Sequence, residues 1–103
     1  MCSNNLTLRI NLKDGTNIEV PLTGLELIPA GGTFLYRLSV LNEYNLTDII
    51  DKVDGIFRFD VLYNETIKFS KFVEEGYNQL LMAVNKKTDS YTTYEIQIIN
   101  MEV

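Results

Sequence analysis

The sequence predicts an α+β fold dominated by antiparallel β-structure: a curved sheet, small barrel or sandwich of about six to seven strands with one short helix over residues 46–54. Two observations predict it. Apolar and polar residues alternate with period two through most of the chain, and the 3, 4, 7 spacing of a helical face occurs once. A third sets the scale: 103 residues, 46% hydrophobic and 22% charged, suffice for one core and therefore one β-rich domain over 1–103.

The elements follow in order. Leu6, Leu8, Ile10 and Leu12 alternate with Thr7, Arg9 and Asn11, the period of a half-buried strand. After Asp14-Gly15, Ile18, Val20 and Leu22 alternate with Asn17, Glu19 and Pro21, so the two runs read as a hairpin whose turn uses glycine for its positive φ. Pro21 cannot donate to a ladder, which puts the second run at a sheet edge. From 23 to 33 the alternation lapses into Gly24, Pro29 and Gly31-Gly32 around Leu25, Leu27 and Ile28, a loop with an anchored middle. Residues 34–41 form a strand with apolar groups on both faces, which predicts cover on both sides.

Leu46, Ile49, Ile50 and Val53 then share one helical face. Asn45 caps that helix, Asp48 suits its positive end, and Gly55 stands where a left-handed residue ends it. Phe57, Phe59, Val61 and Tyr63 alternate with Arg58, Asp60 and Leu62, Asn64-Glu65 offers a turn, and Ile67 and Phe69 continue. Glu74-Glu75-Gly76 interrupts. Residues 80–84 are apolar on both faces, as a central strand requires, 86–90 read as a polar loop, and 91–101 form a last strand with Tyr94, Ile96 and Ile98 turned inward.

Composition removes whole mechanisms. With no histidine and a single cysteine, Cys2, there is no serine–histidine pair, no histidine-ligated metal, no intrachain disulfide and no cysteine zinc cage. A formal charge of −5 disfavours nucleic acid and anionic lipid as partners. The acidic residues concentrate in 42–65, where Glu43, Asp48, Asp51, Asp54, Asp60 and Glu65 face only Lys52 and Arg58. No apolar run approaches the roughly 20 residues that span a bilayer, and the first residues lack a secretory pattern, so the expected compartment is the cytoplasm.

Adjacent Glu74 and Glu75 point to opposite faces of an extended chain and cannot converge as acid and base. The three-residue spacing of Asp48, Asp51 and Asp54 does not match a calcium loop, and the glycines lack a phosphate-cradling spacing. No catalytic residue, metal site or cofactor is therefore expected. The residues available for contact with other proteins are Leu25, Leu27 and Ile28 in the 23–33 segment, Asp48, Asp51 and Asp54 on the helix, and Ile99 and Met101 in the last strand.

The leading strand, the Lys13-Asp14-Gly15-Thr16 hairpin, the Asn-, Ile- and Lys-leaning composition and the missing cysteine framework are similar to small accessory virion proteins of tailed phages of AT-rich Gram-positive bacteria. That resemblance implies a head, connector or tail component. It would be made in the cytoplasm, taken into a virion, and assembled with itself or other virion proteins. The expected function is a non-enzymatic structural or interaction module that joins neighbours partly through open strand edges. The alternative is a small acidic inhibitor that places its 43–65 stretch in a basic groove of a host protein.

Overall fold

A computed structural model of the chain describes residues 5–31, 33–52, 55–73 and 78–100. They form eight strands and one helix: β1 (Leu6–Leu12), β2 (Asn17–Pro21), β3 (Gly24–Ala30), β4 (Thr33–Leu41), α1 (Leu46–Lys52), β5 (Ile56–Tyr63), β6 (Thr66–Phe72), β7 (Asn78–Lys87) and β8 (Tyr91–Asn100). Every pairing is antiparallel. The strands divide into two open four-stranded sheets, ordered β2-β1-β5-β6 and β3-β4-β8-β7. Of the architectures the sequence allowed, this is the sandwich, with eight strands where six to seven were expected.

The additional strand is β3, in the segment read as a loop. Leu25 and Leu27 lie opposite Leu38 and Tyr36 of β4, while Glu26 and Ile28 lie opposite Arg37 and Leu35, so a period of two was present behind the glycines. Pro29 is tolerated because β3 is an edge strand. A second correction concerns β7. Its two-faced apolar run predicts a central strand, yet among the described residues it pairs only with β8 and occupies the other edge of that sheet, leaving Leu81 and Val84 exposed. It also runs on to Lys87, through what looked like a loop. A third concerns β4, whose Leu38 and Val40 are buried while Leu41 on its opposite face is exposed; the strand is central in its sheet but covered on one side.

The β1–β2 hairpin forms as expected. Gly15 has φ +91°, and Asp14 Oδ1 accepts hydrogen bonds from the Thr16 backbone N–H at 2.9 Å and hydroxyl at 2.6 Å, an aspartate turn that presets the reversal. Asn45 caps α1 through Oδ1, which accepts the Asp48 N–H at 3.0 Å. Leu46 is fully buried, and its N–H, otherwise an orphan of the first turn, donates to the Tyr94 hydroxyl oxygen at 3.3 Å. The helix thus closes onto β8. Of the residues assigned to its end, 53 and 54 lie outside the described residues, while Gly55 has φ +85°.

Leu8, Ile10 and Val20 of one sheet meet Leu38, Val40, Tyr94, Ile96 and Ile98 of the other in a shared core, with Leu46 against it. Each such burial contributes about 1.5–3 kcal/mol. Tyr36 and Phe69 stack across the gap with ring centroids 5.7 Å apart.

Candidate protein-contact surface

Arg58 and Asp60 are two residues apart on β5 and so share a face, the one turned away from the core. Asp60 lies opposite Ser70 of β6, and Arg58 lies opposite Asn11 of β1. Asp60 has 0% of its surface exposed because these neighbours close over it. Its Oδ1 accepts from Ser70 Oγ at 2.6 Å and Arg58 Nε at 2.8 Å, and its Oδ2 accepts from Asn11 Nδ2 at 2.8 Å and Arg58 Nη2 at 3.1 Å. Burial alone would raise this carboxyl's pKa. The bonds from Ser70, Arg58 and Asn11, with the Arg58 charge, outweigh burial and hold it below the ordinary range.

A register shift places aromatic rings beside this pair. Asn11 pairs with Arg58 but Leu12 pairs with Ile56, so Phe57 has no partner on β1 and the strand bulges there. Phe57 remains 37% exposed and Phe72, opposite Arg58 on β6, 38%. The rings meet edge to face at 5.3 Å. The Arg58 guanidinium carbon lies 5.9 Å from one centroid and 5.7 Å from the other, within cation–π range. A charged fork held by a buried carboxylate and flanked by two exposed rings is rigid and partly desolvated before any partner arrives. Asp60 itself, saturated with donors and closed off from solvent, is poorly placed to exchange a proton; its chemistry here is positioning.

The residues singled out from sequence lie at three other places. Leu25 packs on the core, Leu27 is exposed, and Ile28 lies on the opposite face of β3. Asp48 and Asp51 line an open groove of about 260 Å³ beside α1, together with Lys87 and Thr92. Ile99 is half-buried on β8 opposite Gln79, in a strand that is internal to its sheet. Asp54 and Met101 lie outside the described residues. The structure does not bring the described ones together.

The Phe57–Arg58–Phe72 surface is absent from the sequence reading. Opposite charges at positions 58 and 60 of one strand were its visible signal; the bulge that frees Phe57 had none. Between the sheets, a cavity of about 20 Å³ is lined by apolar side chains and one charged group, Lys71. Among the described residues no group of three or more Asp, Glu or Cys side chains could hold a metal ion, and no helix is long and apolar enough to cross a membrane. No family model, curated protein or solved structure matches the chain.

Proposed function

We propose that this protein is a non-enzymatic interaction module whose outer β1–β5–β6 face seats a partner protein, with Phe57 and Phe72 as apolar anchors and Arg58 between them. The observation that carries this reading is the clamp on Arg58: a fully buried carboxylate holds a half-buried arginine between two exposed rings. Aromatic residues and arginine dominate the energetics of protein interfaces, and rigid anchors lose little entropy on docking. The setting suggested by the resemblance is a small virion component that adheres to neighbouring subunits.

Contact through a face fits the strand edges better than strand addition does. β2 carries Pro21 and β3 carries Pro29, while the registers of β6 and β7 skip Lys68 and Asn85. Lys71, Lys86 and Lys87 add charge along the same two edges. Prolines, bulges and lysines are the devices that block edge-to-edge pairing. The alternative reading, an acidic mimic acting through Asp48 and Asp51, is weakened by Lys87 in the same groove.

The test is association of the purified protein with itself and with the products of genes flanking its own. Arg58→Ala and Phe72→Ala should each weaken the complex by about thirtyfold, the size of a hot-spot loss, while Asp48→Lys with Asp51→Lys should not. Full association by both folded alanine variants would remove the reading, and loss on charge reversal alone would transfer it to the acidic groove.

A further inference from the structure

β7 has the sequence of an interior strand and stands at an edge. Leu80, Leu81, Met82, Ala83 and Val84 follow one another without a charge, a proline or a glycine, a run suited to neighbours on both sides. Among the described residues the strand pairs with β8 alone. Leu80 and Met82 pack on the core, whereas Leu81, on the outer face opposite Gln97, is 41% exposed and Val84, on the inner face opposite Tyr94, 55%. The free side of 80–84 therefore offers backbone donors and acceptors bordered by apolar side chains, a template for one more strand.

The guards on this edge all lie past Val84: the register skips Asn85, and Lys86 and Lys87 follow. They leave 80–84 open but restrict what can pair there. In a parallel, in-register pairing of two copies, Lys86 and Lys87 would each face the same lysine of the other chain, and like charges directly opposite are destabilising. An antiparallel pairing about a two-fold axis at Met82 avoids this. It sets Leu80 opposite Val84 and Leu81 opposite Ala83, and it carries Lys86 and Lys87 to the end where the other copy has Asn78. Apolar residues meet apolar residues, and no lysine meets a lysine.

That match is reciprocal, as a two-fold interface requires: the inner-face row Leu80, Met82 and Val84 is its own complement. The two edges would join into one eight-stranded sheet, β3-β4-β8-β7 continued by the same four strands in reverse order, with an apolar neighbour beside both Leu81 and Val84.

We propose that the chain forms a symmetric dimer through β7, two copies pairing antiparallel about Met82. This contact is separate from the Phe57–Arg58–Phe72 surface, which lies on the other sheet. Sedimentation equilibrium of the full chain is expected to show a reversible monomer–dimer transition with a dissociation constant below about 1 mM. Leu81→Lys with Ala83→Lys, at two exposed positions, places lysine opposite lysine twice and should raise that constant at least about tenfold. Leu81→Lys with Ala83→Glu places lysine opposite glutamate and should return it to within about threefold of wild type. Association that survives in the double-lysine variant and is lost on adding Arg58→Ala belongs to the aromatic face, so the two contacts read out separately. Should the double-lysine variant fail to fold, Met82→Cys in a Cys2→Ser background decides in its place: the two-fold axis sets position 82 of one copy against position 82 of the other, and oxidation should cross-link them. A wild type that stays monomeric to about 1 mM, equal association by the two folded double variants, or no cross-link at position 82 overturns the proposal.

Discussion

Ser70 donates its hydroxyl to Asp60 Oδ1 at 2.6 Å from the facing position on the neighbouring strand. With Asn11 reaching the same carboxylate from β1, one side chain ties three strands together on the side of the sheet away from the core. Desolvating a carboxylate is unfavourable by several kcal/mol unless it is paired and fully hydrogen-bonded. Here it is both, and the arrangement fixes the guanidinium on which the proposed contact depends.

Removing that carboxylate should therefore be costly. Asp60→Ala leaves three donors facing a hole and is expected to lower the unfolding free energy by about 2–3 kcal/mol, whereas Ser70→Ala, which removes one bond, costs about 1 kcal/mol. Urea titrations monitored by circular dichroism measure both. A loss below about 0.5 kcal/mol for Asp60→Ala would mean the network carries no load.

Acid should expose the same group. Asp60 titrates below the ordinary carboxyl value of 3.8 in the folded protein, so in the window beneath that value the unfolded chain binds more protons and stability rises with pH. The contribution is complete well above 3.8 and is lost as pH falls through the folded pKa. Asp14, held low by the Thr16 hydroxyl and backbone N–H, acts with the same sign but is exposed to solvent screening. Wild-type stability should fall on acidification from about pH 4 toward pH 2, and more steeply than that of Asp60→Asn. Superimposable pH profiles for the two proteins would contradict this assignment.

The β5–β6 turn stores removable strain. Asn64 and Glu65 both have positive φ, 51° and 67°, the pattern of a two-residue hairpin turn that matches strand twist and favours glycine second. Glu65→Gly should raise stability by about 1 kcal/mol, because a left-handed conformation costs a residue with a Cβ about that much. A thermal scan reads the change directly, and an unchanged or lower midpoint refutes it.

Restoring a donor to the β3 edge should make the protein stickier. Pro29→Val supplies the missing N–H and a strand-forming side chain at an edge, so sedimentation velocity at high concentration is expected to show a larger fraction of oligomer than wild type. If both sediment alike, the proline is not a guard.

Local chemistry was legible in the residues themselves. Alternation placed Leu8, Ile10, Tyr94, Ile96 and Ile98 in the core, Asp14-Gly15 and Asn64-Glu65 marked their turns, and Asn45 its cap, because periodicity and turn conformation depend on neighbours a few positions apart. Tertiary structure alone decided that β7 lies at an edge, that 24–30 is a strand, and that Phe57 leaves the core while Asp60 loses all contact with solvent. Those outcomes depend on which strand lies alongside and in what register: β1 meets β5 about fifty positions along the chain, and the one-residue slip between them is a property of the pairing, with no trace in either strand by itself.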